Sequence, residues 1–231
     1  MLAVALAALP GRVDAQVADD TIRVGAPRVP SSLRNAETDT SRVSMKRGAD
    51  SVPMSAYVES ITPTPDGFLI VGRNISAAGV TMSIDTIAVS KTFAPLWHAD
   101  SAASGRARVV YARGRVTGTR VDSTGKTTTI DIPVAAGAFD YSYARLVIGW
   151  LPLRVGFRGV LATHDITRGA VHMPFRVVGD ERIVARGVAA DAWKVELDRP
   201  GAPTQTTWLS KATGKTLRVV IVTPGGTIYV E

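Results

Sequence analysis

The feature that most constrains this chain is a period of two. In AVHMPFRV, from Ala170 to Val177, the residues Val171, Met173, Phe175 and Val177 point one way and His172, Pro174 and Arg176 the other. DAWKVELD, from Asp191 to Asp198, repeats the pattern, with Trp193, Val195 and Leu197 set against Lys194, Glu196 and Asp198. Side chains alternate across a strand, so a segment with one apolar and one polar set is a strand buried on one face. The same pattern predicts strands over 41–46, 54–61, 67–74, 80–89, 106–113, 115–122, 126–134, 155–162, 182–186, 205–210, 216–223 and 227–230, with a short one at 21–24. Turn formers separate them in TPDG (64–67), RGR (113–115), VGD (178–180), RPGAP (199–203) and PGG (224–226). Connections this short favour sequential antiparallel hairpins over crossover units.

One segment breaks the alternation: FDYSYARLVIGWLPL, from Phe139 to Leu153. Asp140 suits a helix cap, Tyr143, Leu146, Val147 and Trp150 fall on one helical face, and Pro152 ends the run. A helix of about ten residues is marginal alone in water, so its apolar face must lie on the sheet. The expected fold is therefore mainly β: a curved antiparallel sheet, a half-open barrel, with one covering helix near residues 140–150. Residues 41–231 form a single antiparallel β domain, and residues 16–40, rich in turn formers, an N-terminal strand and loop.

The start of the chain bears on compartment. LAVALAAL, from Leu2 to Leu9, followed by Pro10-Gly11 and RVDAQ, has the form of a signal-peptide apolar region and cleavage site, although no Lys or Arg precedes it. Residues 1–15 are expected to be a signal peptide cleaved before Gln16, the run being too short to span a bilayer as a helix. The chain has no cysteine, which removes disulfides, thiolate zinc sites, thiol nucleophiles and the lipid-attachment cysteine of a lipoprotein. A soluble periplasmic or secreted protein without a transmembrane anchor is expected. The net charge of +7 is dispersed over single arginines such as Arg106, Arg108, Arg113, Arg115, Arg120 and Arg218. That dispersal fits solvated strand faces and lacks the basic-aromatic modules of a nucleic-acid binder.

Two stretches, STGKTTT (123–129) and ATGKTLR (212–218), end like a phosphate-binding P-loop. Counting back from Gly125 and Gly214 to the position of the required first glycine gives Arg120 and Leu209, and both stretches lie between strands rather than before a helix. They are hairpin turns. Ser123 and Lys126 match S-x-x-K but sit in a turn, without the companion motifs of penicillin-recognising enzymes. His98 with Asp100, and His164 beside Asp165, are two-residue pairings, and His172 falls on the solvent side of its strand. A metal site needs three or four convergent ligands, so no metal, cofactor or catalytic residue is assigned and a non-enzymatic role is expected.

The aromatics Trp97, Tyr111, Tyr143, Trp150, Phe157, Phe175, Trp193 and Trp208 are read on inner strand faces or on the helix. They suit either a filled core or a half-open barrel whose concave face, under the helix, holds an apolar ligand. For the second case the candidate cavity residues are Trp97, Tyr111, Tyr143, Trp150, Phe157, Phe175 and Trp193.

The order AFDYSYARLVIGWLPLRVG, VHMPFRVVGDERI, ARGVAADAWKVEL and TTWLSKATGKTLRVVI resembles a secreted bacterial family of unknown function, domain of unknown function 3108. The resemblance covers roughly residues 85–231, including DTIAVSKTFAPLWH, and fades in the N-terminal third. The family is similar to the half-barrels of the lipoprotein carriers LolA and LolB, in which a curved sheet and covering helix enclose acyl chains. The resemblance implies fold more firmly than function and supplies no catalytic residues. The expectation is a soluble envelope protein that binds a lipid or other apolar molecule between sheet and helix, with arginines at the mouth meeting an anionic headgroup. The alternatives are an interaction or scaffold module with a filled core, its partner an envelope protein, and a hydrolase in which His98 or His164 meets a serine or carboxylates.

Overall fold

The computed structural model describes residues 21–28, 33 and 35–231. The expected signal peptide and its cleavage point lie outside these. After β1 (Thr21–Ile22), a first meander runs through β2 (Glu37–Arg47), β3 (Asp50–Thr64), β4 (Gly67–Ser76), β5 (Thr81–Ser90), β6 (Pro95–Ala102), β7 (Gly105–Ala112), β8 (Arg115–Asp122) and β9 (Thr127–Pro133). The next elements are β10 (Phe139–Asp140) and α1 (Ala144–Gly149). A second meander follows: β11 (Arg158–Asp165), β12 (Gly169–Ala185), β13 (Val188–Leu197), β14 (Gln205–Ser210), β15 (Thr216–Thr223) and β16 (Gly226–Val230). Within each meander successive strands pair antiparallel, as alternation and short turns predict.

The meanders join where β16 pairs with β2, Val230 opposite Val43. The result is one large, open, curved sheet whose far edges are β9 and β11, with β1 and β10 laid parallel along β11. To pass from one edge to the other, the chain crosses the concave face in residues 134–157, which carry β10 and α1. The crossover supplies the centre of the core. Phe139, Tyr143, Val147, Ile148 and Trp150 pack with Ile61, Phe68, Ile70, Ile87 and Val89 of the first meander and with Leu161, Met173, Phe175, Val195 and Leu209 of the second. No single strand has enough apolar surface to do this; curvature brings both meanders onto the crossover.

Three local differences from the expected elements have physical causes. VGD is a bulge inside β12 and not a turn: the register against β13 shifts between Val177 and Gly179. One extra residue reverses the facing of everything beyond it. Val171 to Val177 thus supply the concave core, while Ile183 and Ala185 join a separate cluster with Ala192 and Trp208. Strand β6 carries His98 and Asp100 where an apolar set would mark a strand, which hid it from the pattern. The helix is only Ala144–Gly149, begins at Tyr143 without a side-chain cap, and buries Ala144, Val147 and Ile148. Asp140 is extended in β10 and turns its carboxylate to other work.

Candidate functional site

Beneath the start of the crossover lies a hollow of about 480 Å³. Val43 of β2, Met173 of β12, Leu197 of β13, Ile221 of β15, and Ile228 and Val230 of β16 supply its aliphatic wall. Tyr141, Ser142 and Arg145 contribute from the crossover, and Tyr57, Asn74, Asp85, Arg199 and Gln205 add polar groups. These residues come from both meanders, which is why no single segment announces the hollow. Its volume falls in the ~300–1,000 Å³ range of small-molecule sites, and its mixed lining of aliphatic surface with a few polar groups is of the kind such sites use.

A chain of hydrogen-bonded polar groups runs from the hollow, where it is open to solvent, to the crossover, where it is buried. Asp85, 43% exposed at its side chain, lines the hollow and accepts from His98 Nε2 at 3.4 Å. The other ring nitrogen, Nδ1, donates to Asp140 Oδ2 at 2.9 Å, with both side chains almost fully buried. Tyr111 Oη donates to the same carboxylate oxygen at 2.5 Å, and the backbone N–H of Ser142 donates to Asp140 Oδ1 at 2.9 Å. Strand geometry sets this up: Ile87, His98 and Val109 lie opposite one another on β5, β6 and β7, so His98 shares the concave face with apolar neighbours. Burial pulls the His98 pKa down, but the hydrogen bonds and charges of Asp140 and Asp85 outweigh it and carry it up to about 10. The ring is an imidazolium clamped between two carboxylates, with both N–H groups committed. Burial, then the Asp140 carboxylate, raises the Tyr111 pKa, so its hydroxyl stays a donor.

His164 lies opposite Asp140 in the β10–β11 pairing and meets the Tyr111 ring edge-on at 6.0 Å. It is 1% exposed, and neither ring nitrogen has a hydrogen-bond partner among the described residues. Burial lowers its pKa against the raising influence of Asp140 and Asp165. The two histidines share a neighbourhood and have opposite electrostatics. His172 is exposed, as its strand pattern predicts.

Arg145 stands at the roof. Its guanidinium lies 5.6 Å from the Tyr57 ring centroid and 3.5 Å from Glu59 Oε2. Burial raises the Glu59 pKa in spite of that arginine, and burial, then Glu59, pushes the Tyr57 hydroxyl up to about 12. On the far side of Arg145 a crevice of about 50 Å³ opens between Leu33, Glu59, Ile61 and Trp150.

The seven aromatics expected around a cavity are distributed differently. Tyr143 is fully packed and its hydroxyl donates to the Phe93 carbonyl at 2.6 Å. Trp150 lies on Phe93, with ring centroids 4.6 Å apart, and Phe157 stacks on Phe175 at 5.9 Å. Tyr111 is taken up by Asp140. Trp193 packs at the margin of the core beneath the Lys211 ammonium, 4.1 Å away. Trp97, next to buried His98, projects from the opposite face of β6, where Arg108 covers it at 5.5 Å. Trp208 also faces away from the concave side, donating from Nε1 to Glu181 at 2.7 Å. None of the seven is in the lining of the 480 Å³ hollow, where the aromatics are Tyr57 and Tyr141. The missed signal was the polar content of β3 to β6, which alternation scores as solvent-facing and the curvature of the sheet turns inward.

Both TGKT stretches are hairpin turns, with Gly125 at φ +86° and Gly214 at φ +73°. Among the described residues no group of three or more His, Asp or Glu is placed to hold a metal ion, and no helix is long and apolar enough to cross a membrane. No curated protein and no solved structure matches the chain. One family profile matches residues 43–231, which extends the sequence resemblance upstream from Asp85 to the middle of β2. With that match over most of its length, and with the joined β2–β16 sheet lying almost wholly inside it, the chain belongs to the family of proteins of unknown function DUF3108.

Proposed function

We propose that this protein binds one apolar or amphiphilic molecule in the hollow between the curved sheet and the crossover, acting as a non-enzymatic, exported protein of the cell envelope. The observation that supports this is the hollow itself: about 480 Å³ walled by aliphatic side chains of five strands beneath a roof of Tyr141, Ser142 and Arg145. Burying a ligand tail there stabilises the complex by about 25 cal/mol per Å² of apolar surface removed from water. The likeness to the half-barrels of LolA and LolB, in which sheet and helix enclose acyl chains, belongs to the same proposal.

The test is native mass spectrometry of the purified protein, followed by titration with a fluorescent long-chain fatty acid. Saturable binding that weakens at least about tenfold when Met173→Trp or Ile221→Trp fills the hollow is expected. Saturable binding untouched by either filled variant would place the ligand elsewhere and refute the proposal, as would no binding at all. N-terminal sequencing of the exported protein tests the envelope half: a chain beginning at Gln16 agrees with it, and an intact Met1 contradicts it.

A further inference from the structure

Two guanidinium groups belong to the lining of the hollow, and their situations differ. Arg145 already faces Glu59 and the Tyr57 ring. Arg199 sits in the β13–β14 loop, where Thr204 Oγ1 donates to Asp198 Oδ1 at 2.8 Å and so engages the adjacent carboxylate. The loop is pinned at its start by the bond from the Asp198 N–H to the Pro174 carbonyl at 2.9 Å, and it turns back through the bond from the Ala202 N–H to the Arg199 carbonyl at 3.0 Å. Arg199 is thereby held at the hollow, half-buried, and its guanidinium has no carboxylate partner among the described residues, while its Nε is sealed from solvent and unpaired. A permanent cation half-buried without a counter-ion is costly, and a carboxylate or phosphate oxygen is its strongest complement. Among the described residues the hollow's one carboxylate is Asp85, which is met by His98 Nε2 at 3.4 Å and so offsets the two arginines less than a free carboxylate would.

We infer that the ligand of this hollow is an amphiphile with a single anionic headgroup, read by Arg199 with Arg145 beside it, and with its aliphatic tail against Met173, Leu197, Ile221 and Ile228. This rests on the apolar-ligand proposal and deepens it. The chemistry is shared by carboxylate and phosphate heads, and the experiment separates them.

The experiment is competition against the fluorescent fatty acid with three probes of equal chain length: hexadecanoate, hexadecyl phosphate and 1-hexadecanol. The wild-type protein should bind an anionic probe at least about tenfold more tightly than the alcohol. Arg199→Ala should bring that preference to within about twofold while leaving affinity for the alcohol nearly unchanged, and Arg199→Lys should keep part of it. Arg145→Ala should reduce the preference less. A tighter hexadecanoate identifies a carboxylate head and a tighter hexadecyl phosphate a phosphate head, and either supports the inference. Equal binding of all three probes by wild type, or a preference that survives Arg199→Ala, overturns the anionic headgroup and leaves the apolar hollow standing. If no probe binds the folded protein, the apolar-ligand proposal falls and this inference with it.

Discussion

The two ends of the crossover are anchored by opposite chemistry. At its start, Asp140 gathers His98 and Tyr111 from β6 and β7 into a buried ionic and hydrogen-bonded knot that reaches Asp85 on β5. At its end, Gly149 lies backbone to backbone against Gly214 of the β14–β15 turn, so close that a Cβ on Gly214 would stand 2.2 Å from the Gly149 carbonyl oxygen. The first anchor depends on protonation and on partners; the second depends only on shape. Together they fix the roof of the hollow to both meanders, and they should fail under different perturbations.

The largest effect is expected at the polar end. Asp140→Ala removes the acceptor of three donors, His98, Tyr111 and the Ser142 N–H, and leaves the His98 imidazolium facing Asp85 alone, which should cost about 3–5 kcal/mol in urea denaturation. A loss below about 1 kcal/mol would mean that water replaces the carboxylate. Next comes the shape-dependent end. Gly214→Val adds a side chain at positive φ and drives it into the Gly149 carbonyl, for an expected loss of ~2–4 kcal/mol. Gly125→Val in the other TGKT turn meets the same φ penalty but open space, and should cost only ~1–2 kcal/mol. Equal losses in the two turns would show that the Gly149 contact contributes nothing. Neither substitution is expected to alter nucleotide binding, and ATP affinity abolished by Gly214→Val would overturn the turn assignment.

The pH dependence separates the anchors further. The His98 pKa is raised in the folded chain, so its contribution is fully present below the ordinary value of 6.5 and is lost as pH rises through about 10. The His164 pKa is lowered, so its preference for the neutral ring favours the fold above 6.5 and is lost as pH falls below that value. Denaturation series should show His98→Phe flattening the alkaline fall and His164→Leu flattening the acid one. The reverse assignment would contradict the geometry. The smallest effect is His164→Leu at neutral pH: replacing a ring with two unpartnered buried nitrogens by an aliphatic group should change stability by no more than ~1 kcal/mol, in the stabilising direction.

Much of the sheet is visible in the sequence because a strand's facing pattern is local. Arg115–Asp122, Gln205–Ser210 and Thr216–Thr223 run over the spans that alternation predicts. The crossover shows as the one stretch with helical spacing, and Tyr143, Val147 and Trp150 are buried as that spacing requires. The bulge at Val178 is less visible, since one inserted residue changes no composition and reads as a turn; only its partner strand reveals that pairing continues through it.

What the sequence by itself determined is most of the strands, most of the hairpin turns, the one stretch of helical spacing that covers the sheet and the absence of cysteine chemistry, all consequences of composition and of spacing along the chain. The tertiary structure alone decided which polar residues meet. Asp85, His98, Tyr111 and Asp140 are scattered in the sequence, Tyr111 reading as an inner-face aromatic and Asp140 as a helix cap, until curvature brings their strands onto the crossover. The hollow follows the same rule: its aliphatic wall draws Val43 from one end of the chain and Val230 from the other, joined only when β16 closes on β2. Side-chain period is a property of neighbours in sequence, whereas a cavity or a buried ion pair is a property of neighbours in space.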